Sequence, residues 1–172
     1  NGSSEMVTTL SQSVVAMLYN LQLISYAGQN GVAAYGVIMY VFMIFSAVYM
    51  GYSMACAPLV SYQRGAMRMD EVGSLLRKSL ALNAAAGIIM LLFAQLSAPT
   101  IAQIFVGYDP QLAAFTEHGF RRYACAFLVM GVSIYSSGFF TALGNGKVSA
   151  LISFLRTFLF EAGCVLLLPT IL

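Results

Sequence analysis

The sequence predicts an all-α fold, a polytopic bundle of membrane-crossing helices, and three observations carry that prediction. Five long apolar stretches fill most of the 172 residues. Only 8% of the residues are charged while 60% are hydrophobic, whereas a soluble domain is about a quarter charged because its surface must face water. The links between stretches are short and punctuated by Gly, Asn, Asp or Pro, which brings successive helices together as antiparallel neighbours.

A helix crosses the hydrocarbon core with about 20 apolar residues. Stretches at roughly 3–27, 31–62, 79–106, 118–143 and 147–172 meet that length. The first closes on Ala27-Gly28-Gln29-Asn30-Gly31, which reads as a turn. The second would reach about 48 Å against a core of about 30 Å, so it must tilt, bend or project, and Pro58 marks a place where a bend is tolerated. Arg64 to Lys78 holds most of the charge and reads as a loop. Gly107-Tyr108-Asp109-Pro110 ends the third stretch, and Gly144-Asn145-Gly146 is a tight turn between the last two.

Loop charge sets the orientation. Arg64, Arg68, Arg77, Lys78 and Lys147 fall on one side, and Arg121 and Arg122 on the other. The excess of Lys and Arg places the first set in the cytoplasm of a multi-pass cell-membrane protein. The N-terminal end and the loops near 63–78 and 144–147 are then cytoplasmic. An odd number of spans, a start at Asn1 and an end inside the apolar run at Pro169-Thr170-Ile171-Leu172 predict one transmembrane domain over 1–172 cut from a longer protein.

Polar residues are not scattered. At 100° per residue, Glu5, Thr8, Thr9, Gln12, Ser13, Ala16, Tyr19 and Asn20 fall within about 140° of arc. Met6, Val7, Leu10, Val14, Met17, Leu18 and Leu21 occupy the other side, with Ser11 and Gln22 as exceptions to the division. Ser133, Ser136, Ser137 and Thr141 align on the fourth helix, and Ser149, Ser153, Arg156 and Thr157 on the fifth. Such seams either line a water-filled cavity or bond helix to helix. Met39, Met43, Met50 and Met54 form a stripe on the second helix that either packs, meets lipid or adapts to varied guests.

An intramembrane charge costs about 2.5–3.5 kcal/mol on insertion scales and needs a reason. Glu5, Arg156 and Glu161 are the candidates. Arg156 and Glu161 lie about 140° apart around their helix, so each needs another partner. Glu5 is either a cation-exchanging carboxylate or an interfacial helix-start acid favoured by the N-terminal dipole.

Other chemistries find no support. Cys56, Cys125 and Cys164 sit in apolar stretches without ligand spacing and read as packing residues. His118 stands with Glu117, Arg121 and Arg122 in what reads as a solvated outward loop. No P-loop, zinc-protease motif or nucleophile elbow occurs. The few basic residues are spread along the chain, so nucleic acid is not an expected partner, and neither a metal nor a catalytic residue is expected.

The order of these features resembles one family. Asn1-Gly2-Ser3-Ser4-Glu5 resembles the opening of the seventh helix of a multidrug and toxic compound extrusion (MATE) transporter. Ala57-Pro58-Leu59-Val60-Ser61-Tyr62-Gln63-Arg64-Gly65-Ala66 is similar to the eighth helix and the following cytoplasmic loop. Ala142-Leu143-Gly144-Asn145-Gly146-Lys147 and Ser153-Phe154-Leu155-Arg156 resemble the join between the tenth and eleventh helices. The resemblance spans essentially the whole chain. It implies a parent of twelve helices in two pseudo-symmetric lobes, of which this chain is most of the second. Its partners would be the first lobe, the last helix, membrane lipid and small organic cations.

The implied activity is export by proton- or sodium-coupled antiport with alternating access, and no cofactor beyond the transported ion. Glu5 matches a seventh-helix carboxylate that serves cation coupling in some branches. Their second carboxylate, in the tenth helix, has no counterpart in 119–143, and another branch keeps the coupling acid in the first lobe. Arg156 matches a structural arginine, and Glu161 is a further coupling candidate. Thr8, Thr9, Gln12, Tyr19, Asn20, Met39, Met43, Ser133, Ser137, Ser153 and Arg156 are the cavity-lining candidates. The rival readings are a lipid or lipid-linked oligosaccharide flippase of the same superfamily and a non-transporting membrane scaffold.

Overall fold

The computed structural model describes residues 2–155, without the side chains of residues 2–5, 7 and 8. The described residues are helical nearly throughout. Helix α1 spans Gly2–Gly65 with a single non-helical residue, Gly28, at φ 61° and ψ −153°. That region is open essentially to glycine alone. A straight helix of 64 residues would measure about 96 Å, three times the hydrocarbon core. The chain instead doubles back. The rings of Tyr19 and Tyr35 stack with centroids 5.1 Å apart and planes 18° apart, where a straight helix would hold them about 24 Å apart. Thus α1 is two antiparallel legs, residues 2–27 and 29–65, and the expected turn has contracted to one residue. Pro58 is accommodated inside the second leg, where no further break in the helical dihedrals occurs.

Helix α2 spans Met69–Val106, ten residues earlier than the apolar stretch predicts. The charged segment after Arg64 is therefore mostly helix. Asp70 and Glu71 lie in its first turn, where the helix dipole favours acids. Val72 is buried against Val60 and Phe139. Apolar length marks where a helix leaves lipid, and this amphipathic turn continues beyond that point.

The fourth predicted stretch also begins early and is divided. Helix α3 spans Pro110–Tyr123, a 3-10 turn covers Ala124–Ala126, and α4 spans Phe127–Ala142. Asp109 caps α3 by accepting from the backbone N–H groups of Gln111 at 2.9 Å and Leu112 at 3.2 Å, with Pro110 at the first helical position. His118 is accordingly an exposed helix residue and not part of a loop. Helix α5 is described over Gly146–Phe154, and the rest of the fifth stretch lies outside the described residues.

The second leg of α1, α2 and α3–α4 form the core, with α2 antiparallel to both neighbours. Gln95 meets Arg121, Gly87 meets Leu128, and Tyr52 meets Ser79. Three apolar tiers fill the space between them. Ala34, Val37, Val106 and Leu112 sit near the Gly28 end. Ile38, Phe45, Ala94, Ala98, Phe120 and Phe127 occupy the centre. Cys56, Val60, Val72, Tyr135 and Phe139 fill the far end. Outward-facing residues such as Ile89, Leu92 and Leu96 are exposed, as expected of a lipid-facing surface. Three helical segments, Thr9–Gly65, Met69–Val106 and Pro110–Ala142, are long and apolar enough to cross a membrane, and the first of these holds the two legs.

Two turns at the far end share one design. The Arg68 N–H donates to the Gln63 carbonyl at 3.0 Å and Met67 N–H to Arg64 at 3.0 Å; Asn145 N–H donates to Phe140 at 3.0 Å and Gly144 N–H to Thr141 at 2.9 Å. Both are Schellman closures, which need a left-handed residue. Gly144 supplies it at φ 68°, while Met67 is held at φ 59°. Met67→Gly is expected to stabilise the protein by roughly 1 kcal/mol, read as a higher melting temperature in detergent. Gly144→Ala should lower it, because φ 68° is a left-handed conformation that a Cβ strains.

Candidate functional site

Three surfaces divide the first leg of α1. Ser11 and Val15 are buried at 7% and 3% exposure and form a narrow contact stripe. Leu10, Val14, Met17 and Leu21 make an exposed apolar face. Thr9, Gln12, Ser13, Ala16 and Asn20 make a second exposed face that is polar. Within it, Ser13 Oγ donates to the Thr9 carbonyl at 3.0 Å and the Asn20 amide donates to the Ala16 carbonyl at 3.0 Å. These bonds keep the side chains close to their own helix. Tyr19, half-buried at the edge of the face, is fixed by its stack on Tyr35 of the second leg. The side chains of Glu5 and Thr8, and the residues Arg156 and Glu161, lie outside the described residues.

The serine seams meet each other. Ser137 Oγ lies 3.1 Å from Ser149 Oγ and 2.9 Å from Ser153 Oγ, and Thr141 Oγ1 lies 2.7 Å from Ser149 Oγ. Ser149 and Ser153 are buried. This geometry commits Ser137 and Ser153 to bonding α4 to α5. Ser133 is half-buried on α4. Of the methionines, Met39 packs against the central core tier and Met43 is 63% exposed. The structure thus brings Ser137 and Ser153 together and Tyr19 to Tyr35, and leaves Thr9, Gln12 and Asn20 on their own face.

Two polar groupings escape the sequence reading. Tyr52 donates to Ser79 Oγ at 2.9 Å, and the buried Asn83 amide donates to the Ser79 carbonyl at 2.8 Å. The signal was a polar pair four residues apart at the start of the apolar stretch on α2. Farther along, Arg121 pairs with Glu117 at 2.9 Å, and the Gln95 amide donates to the Arg121 carbonyl at 2.9 Å. That arrangement holds α3 to α2. A groove of about 580 Å³ lies where α2 meets α3, lined by Pro99, Gln103, Pro110 and Glu117 among others, and none of the predicted site residues lines it. Among the described residues no cluster of His, Cys, Asp or Glu could hold a metal ion.

A helical bundle with membrane-length apolar segments, bonded internally by hydroxyls and carrying one uncovered polar helix face, defines a polytopic membrane protein. The comparisons place it further. The MatE family's sequence model matches residues 6–165, and the chain belongs to that family, whose members are transporters and not enzymes. A crystal structure of a MATE in complex with MaL6 shares the fold with a TM-score of 0.82 at 19% identity. The match covers 94% of this chain and 36% of that one, so the chain spans about a third of the length of the solved transporter. No curated protein matches the chain.

The α4–α5 hydroxyl contacts yield a measurable expectation. Ser137→Ala and Ser149→Ala should each destabilise the protein, and a double-mutant cycle should return a coupling of about 0.6 kcal/mol, the usual size for such bonds in membrane proteins. A coupling of zero would mean the two hydroxyls act independently.

Proposed function

We propose that the chain forms most of the C-terminal lobe of a twelve-helix exporter that expels organic cations in exchange for protons or sodium. The observation that supports this reading is the polar face of Thr9, Gln12, Ser13 and Asn20, exposed beside an equally exposed apolar face on one leg. Hydrocarbon solvates the apolar face and cannot solvate the polar one. A water-filled cavity bounded by a second lobe satisfies both. Repeat-built transporters place substrate at such an interface and rock one lobe against the other.

In this reading Glu5, on the same angular sector as Thr9 and Gln12, exchanges the coupling cation, and Glu161 is the second candidate. A cation bound at a carboxylate biases the inward and outward states only through a difference in its affinity for them. The short turns at Met67 and Gly144, together with Arg64, Arg68 and Lys147, face the cytoplasm.

Ethidium efflux from pump-deficient cells expressing the full-length protein tests the proposal. Efflux should collapse under a proton uncoupler or on removal of sodium, and Glu5→Gln should reduce it with protein abundance unchanged. A well-expressed, membrane-inserted protein that moves no ethidium would overturn drug export and direct the assay to lipid-linked sugars.

A further inference from the structure

Helix α2 gathers two bases at one level. Arg77 and Lys78 are adjacent and exposed, and with Ser74, one turn earlier, they line an open groove of about 300 Å³. Among the described residues no carboxylate pairs with either base; the ion pair they contain joins Glu117 to Arg121 on α3. Asp70 and Glu71 lie two turns back on α2, roughly 10 Å along the axis, and salt screens exposed charges over about that distance. The other charged side chains at this end, Arg64, Arg68 and Lys147, are all basic.

The depth of the groove follows from helix length. Lys78 is the last charge before residues 79–106, which carry none and measure about 42 Å as helix. Hydrocarbon and both headgroup layers together are about 40–45 Å thick. When α2 fills the bilayer, Arg77 and Lys78 therefore stand at the level of the lipid phosphates. Below them, Lys78, Leu82, Ala85 and Ile89 repeat at helical spacing on one stripe that is exposed throughout. Leu82 is 54% and Ile89 66% exposed. Lys78 to Ile89 measures about 16 Å, which matches one leaflet's hydrocarbon, about 15 Å deep. The opposite side of α2, with Val72, Leu76 and Leu80, packs on the far core tier, so the stripe points away from the described bundle.

We propose that Ser74, Arg77 and Lys78 hold the headgroup of an anionic phospholipid whose acyl chain lies along Leu82, Ala85 and Ile89. The Arg77 fork matches two phosphate oxygens, Lys78 adds a point charge, and the Ser74 hydroxyl is a further donor. Bases beside a membrane-crossing helix attract anionic lipid in the same way. A zwitterionic lipid brings its own cation to a site that already holds two. A soluble phosphate would meet the bases but gain nothing from the apolar stripe beneath them. The site requires only that the chain crosses a membrane, so it is independent of what the protein transports.

The test titrates the full-length protein in detergent with phosphatidylglycerol and reads bound lipid by native mass spectrometry. Phosphatidylglycerol should bind in preference to phosphatidylcholine of the same chains. Arg77→Gln or Lys78→Gln should weaken its affinity roughly 5-fold, and the two together roughly 30-fold. Arg77→Lys combined with Lys78→Arg should retain most of the binding. Arg122→Gln, an equal charge change at an exposed site on α3, should leave it unchanged. Equal binding of the two lipids would overturn the proposal. So would unchanged affinity in the double glutamine variant, the result expected if another part of the longer chain covers the stripe. An equal loss in Arg122→Gln would reduce the effect to diffuse attraction and sink the site. Full displacement of the lipid by an equal concentration of inorganic phosphate would reassign the groove to a soluble anion.

Discussion

Close backbone approach is the constraint from which the rest of this bundle follows. Lipid tails are as apolar as leucine, so helices gain little from hiding apolar surface and must win association through packing contact and interhelical hydrogen bonds. At Gly87 a Cβ would stand 3.0 Å from the Leu128 carbonyl, so α2 and α4 meet almost backbone to backbone. Gly131 leaves room for the Tyr49 ring, and Gly138 for Ser53. Ala94 and Ala98, both at 0% exposure, continue the seam along α2. Large aromatic rings then fill what the small residues leave open: Phe45, Phe120 and Tyr123 all pack on Phe127.

That tight core decides where polar groups can go. Hydroxyls at the interfaces bond across helices, as between α4 and α5 and between Tyr52 and Ser79. Others return to their own helix, as Ser97 Oγ does to the Phe93 carbonyl at 2.7 Å. The face of Thr9, Gln12 and Asn20 is different, because none of the described helices covers it. The first kind of polar surface is spent on holding helices together; the second stays exposed.

The far end of the bundle adds a second level of order. Ser61 Oγ donates to the Ala142 carbonyl at 3.0 Å, and the Arg64 guanidinium lies against Gly144. These contacts tie the end of α1 to the end of α4, so the two Schellman turns are held side by side.

The sequence by itself determined the membrane class and the helical fold, because apolar length and sparse charge leave few ways to satisfy the backbone, and its motifs carried the resemblance to the family. It located the reversal at Gly28 and the turn at Gly144, since only glycine tolerates those dihedrals at low cost. It also sorted Thr9, Gln12 and Asn20 onto one face, because helical periodicity is a local property. Helix ends were less legible: residues 69–78 read as a loop from their charge and 110–117 fell outside the apolar stretch, although an amphipathic contact at Val72 and the Asp109 cap belong to helices there. Only the tertiary structure decided which polar face is spent on contacts between helices and which stays exposed. Ser137 and Ser153 looked as eligible for a cavity as Gln12, and their hydroxyls meet because α4 and α5 fold back on each other at Gly144. Ser79 takes its cross-helix role only because the fold brings Tyr52 to it from a helix distant in sequence. Periodicity says which residues share a side of a helix, but what lies opposite that side is set by the packing of the whole bundle.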